Sequence, residues 1–504
     1  LREAELWWTT VVASGGSVGD YPAEQLDRLW KVVLMHQFHD ILPGSSIGWV
    51  HREAEATYAA VAAELEEVIA GALGRLVGGP GVANAAPHDR DEVVVVPAST
   101  PGLDVGTVQT LADGNLAVRL AAPADGVAAL VPLDPVGTVS VERGPVGLVI
   151  GNGLVTAVLD DAGLLASFVD ERTGRELVPE GERGNRLEIH PDFPNAFDAW
   201  DIEHFNRRKV TVLDGPAEIE VLDEGPVLAR VRVTRSFRSS TAVQMVELRA
   251  GSPRLDVHLE VDWAEQEQLL QVAFPLDVNV TDMTREIQFG HLRTPVHTNT
   301  SWDFARFEVC AHRWVDVSEP GAGLALLNDA KYGHHAERIR SAADEPITVL
   351  YQTLLRGALY PDPRQDQGVH RCTYSLLPHA GDLRAAGVID EGYRLNLPVR
   401  VLAGGTAHGS VRPVVTVDHP AVVVEAVKLA DDGSGDVVVR LYESHGGQAE
   451  VTLTPGFGVL DVVATDAHER VDAASAGPTL VRSGDDVALR LRPFQIVTLR
   501  FTRS

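Results

Sequence analysis

His36 and His39 stand three residues apart, with Asp40 directly after the second, and form the sharpest chemical constellation in this 504-residue sequence. On one helix face such a pair could ligate a metal ion, with the carboxylate beside it. Zinc needs three or four ligands and the string supplies two convincing ones. On spacing alone, a pair of helix-end histidines bonded to carbonyls beside the Pro43 break is the leading reading. A second group of candidates is aromatic. Trp200 sits beside Asp201 and Trp302 beside Asp303, and aromatic faces with neighbouring carboxylates are what a sugar-binding surface uses, stacking combined with hydrogen bonds to hydroxyls. The plainer alternative is a core tryptophan at a strand end. Asp362, Asp366 and His370 lie on a Pro-punctuated loop, which could line a site or simply connect strands. An epimerase or lyase would need an acid and a base here. Asp303 with His297, or Asp366 with His370, could be named, but neither spacing is specific. His297, His312, His334 and His335 read as structural or solvent-facing.

The elements that must position these groups change character along the chain. Apolar residues at three- and four-residue spacing (Leu26, Leu29, Trp30, Val33, Leu34, then Val61, Leu65, Val68, Ile69) predict two or three helices within residues 1–76. Tyr21 and Pro22 mark a helix start; residues 41–46 (ILPGSS) break the pattern, with Ser able to cap the next helix. The opening LREAELWWTT already reads as helix, so the chain is expected to start inside a longer one. After the linker at residues 78–81 the period becomes two and stays so to Ser504. The expected domains are helical 1–76, small β 77–143, large β-sandwich 144–405 and terminal β-sandwich 406–504.

A formal net charge of -28 argues against a nucleic-acid groove and suits a neutral, hydroxyl-rich substrate. Two cysteines, Cys310 and Cys372, exclude a disulfide framework or a multi-cysteine zinc site. No apolar run is long enough to cross a bilayer. The preference for Arg over Lys suggests a GC-rich bacterial source, hence a cytoplasmic protein whose sequons at Asn279 and Asn299 carry no glycan.

Residues 29–50, LWKVVLMHQFHDILPGSSIGWV, resemble the helical middle segment of glycoside hydrolase family 38 α-mannosidases, whose members carry a near-matching Q-[FH]-H-D-x-[LI]-x-G-[ST] string. The resemblance continues through the β half. It includes residues 151–176 (GNGLVTAVLDDAGLLASFVDERTGRE), read from the residues as two strands around a turn at 160–163, and residues 192–205 (DFPNAFDAWDIEHF). Residues 286–319 (EIQFGHLRTPVHTNTSWDFARFEVCAHRWVDVSE), 327–333 (LNDAKYG) and 361–381 (PDPRQDQGVHRCTYSLLPHAG) follow in family order. The closing PFQIVTLRF departs at Gln495, where an acidic residue is more usual.

The resemblance implies a mainly β protein with an N-terminal helical segment: a three-helix middle domain, a large galactose-mutarotase-like β-sandwich and smaller β-sandwich domains. It implies an α-mannosidase that removes terminal α-linked mannose by a zinc-dependent retaining mechanism. His39 maps onto a zinc ligand, His36 onto no functional position, and Asp40 onto an acidic position expected to bond substrate hydroxyls. Trp200, Asp201, Trp302, Asp303 and Asp362 are the further substrate-binding candidates. In the family the nucleophile and the other zinc ligands lie on an N-terminal barrel that this sequence is expected to lack, so the chain alone is expected to be inactive and to bind zinc poorly. The implied partners are a mannose-containing oligosaccharide and that barrel, with a homo-oligomer also compatible; nucleic acid and membrane are not expected. The competing reading is a non-catalytic carbohydrate-binding β-sandwich protein, which has no reason to present His39.

Overall fold

The computed structural model describes residues 1–103, 108–203, 205–403, 410–471 and 477–504. Three helices open it: α1 (Arg2–Ala13), α2 (Ala23–Met35) and α3 (Gly48–Leu76). Leu6, Trp7, Trp8, Val11 and Val12 give α1 an apolar surface on most sides, and it is buried accordingly. It packs between α3 and the strand Val422–Leu429, with the Trp8 indole N–H donating to the Val68 carbonyl at 2.9 Å.

α2 begins directly after Pro22, as Tyr21 and Pro22 predict, but its end differs from expectation. It stops at Met35, so His36 and His39 do not share a helix face. Residues 37–45 form tight turns in which the Ile41 and Leu42 N–H groups both donate to the Phe38 carbonyl, and Gly44 takes a left-handed conformation at φ 78°. Pro43 has no N–H with which to continue the ladder. Nor does a serine cap α3: its N-cap is Ile47, and the buried Ser45 donates its hydroxyl to Asp40 at 3.0 Å.

From Gly81 onward nearly all the regular elements among the described residues are strands. Gly81–Asn84 lies between Gly126–Ala129 and the distant Arg400–Leu402, and Arg90–Val96 pairs with Leu116–Ala122 in a second three-stranded sheet. The large sandwich is built on a nine-stranded sheet running from Glu218–Glu224 to the hairpin Asp282–Ile287 and Gly290–Pro295. A six-stranded and a five-stranded sheet share one core with it, to which Ile150, Phe168, Ile189, Val257, Phe274 and Tyr374 contribute. Within the five-stranded sheet, Val155–Asp160 and Leu165–Asp170 flank the turn predicted at 160–163. Gly163 is required there. It has φ 73°, and a Cβ would meet Val233 Cγ1 at 2.4 Å.

Two four-stranded sheets close the chain, and their apolar residues join the helices in one core that includes Trp7, Val68, Val439, Leu489 and Phe501. Arg400 adds ion pairs to Glu3 of α1 and Glu66 of α3, each at 2.6 Å. The strand Ser140–Arg143 pairs with Gly147–Gly151 of the five-stranded sheet; the boundary expected between residues 405 and 406 lies outside the described residues. Among the described residues two α-helices interrupt the β region, α4 (Ser301–Phe304) and α5 (Val388–Asn396). Nine residues with buried apolar side chains at 388, 389 and 393 are too few for a 3.6-residue period to stand out from the strands around them. No helix among the described residues is long and apolar enough to cross a membrane.

Candidate functional site

The turn after α2 holds the histidine motif, and its two histidines do different things. His36 closes the helix, its Nδ1 lying 2.8 Å from the Val32 carbonyl oxygen, while the Tyr58 hydroxyl of α3 donates to the His36 carbonyl at 3.2 Å. His39 projects outward with its side chain 77% exposed and Nε2 3.3 Å from Asp40 Oδ2. Asp40 Oδ1 accepts from the Trp200 indole N–H and from the Ser45 hydroxyl, each at 3.0 Å. These donors, Trp200 before Ser45, hold the carboxyl below the usual carboxylate range, with His39 adding less.

Trp200 reaches Asp40 from the large sandwich, on a loop pinned by one guanidinium. Arg356, the last residue of the strand Pro346–Arg356, donates to both carboxylate oxygens of the buried Asp192, at 2.6 and 3.0 Å. It donates further to the carbonyls of Asp198 at 3.1 Å and Asp201 at 2.7 Å. A planar fork of N–H groups can meet this many acceptors, and a lysine cannot. The Asp198 carboxylate accepts the backbone N–H groups of Leu359 and Tyr360 at 2.7 and 2.9 Å, which ties the neighbouring loop to the first. Tyr360 thereby stands 6.3 Å from Trp200, ring to ring, and both rings are exposed. Asp362 lies at the start of α3, where a Cβ on Gly48 would fall 2.8 Å from its carboxylate oxygens. The free N–H groups and dipole of a helix N-terminus favour that charge.

The sequence candidates therefore separate into two neighbourhoods. His39, Asp40, Trp200 and Asp362 gather where the helices meet the large sandwich; Asp201 belongs to the same loop, with its carboxylate accepting the Ile202 N–H at 2.9 Å. Trp302 and Asp303 lie on α4 at the edge of the large sandwich, Trp302 exposed and Asp303 bonded to the Thr300 hydroxyl at 2.7 Å. Neither Trp200 nor Trp302 is a core residue. His297 Nδ1 stands 3.7 Å from the Asp303 carboxylate. His370, by contrast, meets the backbone carbonyl of Asp366 at 2.6 Å, while that residue's carboxylate accepts the Arg356 N–H at 3.0 Å. Tyr360, Arg356 and Asp192 were not singled out in the sequence, and Ser45 only as a possible helix cap. Only Tyr360 carried a signal, as the aromatic preceding the Pro-Asp-Pro loop; Arg356 and its partner are 164 residues apart.

Among the described residues no group of three or more His, Cys, Asp and Glu side chains is arranged to hold a metal ion. His39 and Asp40 supply two donors at most, which does not make a complete zinc site. Around them the surface is strongly apolar. Met35 is 74% exposed, Leu42 63% and Trp49 64%, with Leu34, Phe38 and Ile47 also exposed.

Comparison with known proteins matches three family descriptions: alpha mannosidase middle domain over residues 1–76, glycosyl hydrolases family 38 C-terminal domain over residues 150–364, and glycosyl hydrolases family 38 C-terminal beta sandwich domain over residues 421–499. Alpha-mannosidase 2C1 of Homo sapiens is 37% identical over 494 residues, covering 95% of this chain and 46% of the relative. Alpha-mannosidase G of Dictyostelium discoideum is 29% identical over 563 residues, covering 99% of this chain and 50% of the relative. The chain thus spans about half the length of the curated relatives it matches. An alpha-mannosidase crystal structure from Enterococcus faecalis V583 superposes with a TM-score of 0.76 at 16% identity, covering 99% of this chain and 66% of that one, a likeness of fold.

Proposed function

The chain belongs to glycoside hydrolase family 38, carrying domains of its middle and C-terminal types, and from that premise we propose that it forms one flank of the active site of an α-mannosidase that removes terminal α-linked mannose with retention. Retaining hydrolysis needs two carboxylates about 5 Å apart. In this reading both come from outside residues 1–504, on a further domain that docks over the exposed apolar surface around Met35, Leu42 and Trp49. The greater length of the relatives supports that arrangement.

Each residue of this flank has a limited task. His39 offers an exposed imidazole as one ligand of a zinc site whose remaining ligands lie on the docking domain. Bound there, the metal would supply charge that binds mannose hydroxyls. Asp40, whose carboxyl Trp200 and Ser45 hold below the usual range, accepts hydrogen bonds from sugar hydroxyls. The exposed rings of Trp200 and Tyr360 give the sugar's C–H face an apolar wall.

The observation that carries the reading is the hydrogen bond from Trp200 to Asp40, which brings an aromatic of the large sandwich to the residue beside the exposed His39. The test is hydrolysis of an aryl α-mannoside with added zinc or cobalt, by this chain and by one extended before Leu1, each with and without His39→Ala. The expected result is activity in the extended chain alone, abolished by His39→Ala. Turnover by residues 1–504 alone, or an extended chain indifferent to His39→Ala, overturns the reading.

A further inference from the structure

Arg356 closes the strand Pro346–Arg356 of the six-stranded sheet, with Leu269 as its partner across the ladder. The backbone just after it is held as closely. The Gly357 carbonyl accepts the Glu267 N–H at 2.6 Å, and a Cβ on Gly357 would fall 2.5 Å from the Glu265 carbonyl oxygen, so only glycine lets the two chains approach this far. The Arg356 N–H is itself taken by the Asp366 carboxylate at 3.0 Å. The side chain therefore leaves from a backbone fixed on both sides.

Its guanidinium meets the loop on both sides of Trp200. Nη1 lies 3.3 Å from the Ala199 carbonyl oxygen, and Nη2 lies 3.1 Å from that of Asp198 and 2.7 Å from that of Asp201. Nε anchors the group on the buried Asp192 at 2.6 Å. The carbonyls that bracket position 200 are thus turned toward one cation.

The bend of this loop is not imposed by packing of its own side chain. Phe197 takes a left-handed conformation at φ 58°, uncommon for any residue but glycine, yet its ring is 72% exposed. Such a conformation persists where surrounding contacts dictate it. The Phe197 carbonyl accepts the N–H groups of Trp200 and Asp201 at 2.8 and 3.0 Å, and the carbonyls of residues 198, 199 and 201 go to Arg356. Bonds from a charged donor hold a turn more firmly than neutral ones.

We propose that Arg356 is the positioning residue of this flank: its grip on the loop holds the Trp200 indole against Asp40 and, through Asp198 and the Tyr360 N–H, sets the gap between the Trp200 and Tyr360 rings. The half-site is then assembled within residues 1–504 and does not wait for a sugar or a further domain. Arg356 acts through Trp200 and not on the sugar. Its bearing on hydrolysis rests on the reading of Asp40 and Trp200 as a substrate flank; the positioning does not, and the two are tested apart.

The test follows the Trp200 indole N–H of this chain by heteronuclear NMR and hydrogen exchange, its signal assigned with Trp200→Phe, in wild type, Arg356→Lys, Asp192→Asn and Arg254→Lys. In Arg356→Lys the signal should move upfield and exchange about tenfold faster, as its bond to a charged acceptor loosens. Asp192→Asn should act in the same direction and serves if Arg356→Lys does not fold. Arg254 is the control, a buried guanidinium paired with Asp256 at 2.6 Å and Glu391 at 2.9 Å, away from this loop, and Arg254→Lys should leave Trp200 unchanged. In the chain extended before Leu1, Arg356→Lys should raise the KM for an aryl α-mannoside about tenfold with kcat within about twofold, because ground and transition states meet the ring wall alike. A Trp200 signal unchanged in both Arg356→Lys and Asp192→Asn, an equal change in Arg254→Lys, or a fall in kcat without a rise in KM would each overturn the proposal. An extended wild type without turnover would sink the hydrolase reading and leave the Trp200 result standing.

Discussion

The indole N–H of Trp200 and Oδ1 of Asp40 meet at 3.0 Å across 160 residues of sequence. This contact joins the turn after α2 to a loop of the large sandwich, and it helps hold the Asp40 carboxyl, which lies beside His39, below the usual carboxylate range.

Replacing Trp200 by Phe removes the larger of the two donors to Asp40, so the carboxyl pKa should rise toward its ordinary value. The folded value lies below the unfolded one. The group's contribution to stability is therefore present above the unfolded pKa and is lost as pH falls through the folded one, and the variant should shrink it. Carbon-detected titration of labelled Asp carboxyls in both proteins measures the shift; an unchanged Asp40 would mean that the bond does not persist in solution.

His39→Ala should leave thermal unfolding of the chain nearly untouched, within about 0.5 kcal/mol, because the side chain is 77% exposed. A loss several times larger would make His39 a structural residue and remove the main reason for giving it a ligand role.

Arg356→Ala strands the Asp192 carboxylate, 1% exposed, without its partner. Breaking a buried pair in this way costs about 3–5 kcal/mol. Urea unfolding should show that loss, and limited proteolysis should cut within residues 192–203. Arg356→Lys should fall between, since an ammonium cannot reach two carboxylate oxygens and two carbonyls in one plane.

Trp7 is fully buried in the core that α1 and α3 share with the terminal sheets. Trp7→Ala should cost about 3–5 kcal/mol. Hydrogen exchange should show α1 and the strand Val437–Glu443 opening together. Independent opening of the two would contradict a common core.

Glu247 predicts the acid limb of stability. Burial alone would raise its carboxyl, but Arg249, 2.6 Å away, and His258 outweigh burial and hold it at about 2. Because the folded pKa is depressed, the stabilisation is present above the ordinary value of 4.5 and disappears as pH falls to about 2. Glu247→Gln should flatten that limb in chemical unfolding measured at stepped pH and cost about 3 kcal/mol near neutrality, where Arg249 loses its buried partner.

What the sequence alone determined is local in origin. Spacing of Leu26, Leu29 and Val33 specified α2, the change of period after residue 81 specified the sheets, and the turn chemistry of residues 160–163 specified a hairpin, since each acts over a few residues. The neighbours His39 and Asp40 and the family to which the chain belongs were legible for the same reason, as motifs in order. Tertiary structure decided the rest. It stopped α2 at Met35, folded α5 from a stretch too short to show a period, and placed the terminal sandwich against α1. It also brought Trp200 to Asp40, Tyr360 to Trp200 and Asp362 to the start of α3 while leaving Trp302 and Asp303 at the sandwich edge. Those outcomes depend on burial and on partners far away in sequence, such as Arg356 and Asp192, and a side chain's own neighbours carry no record of which distant group will neutralise or cover it.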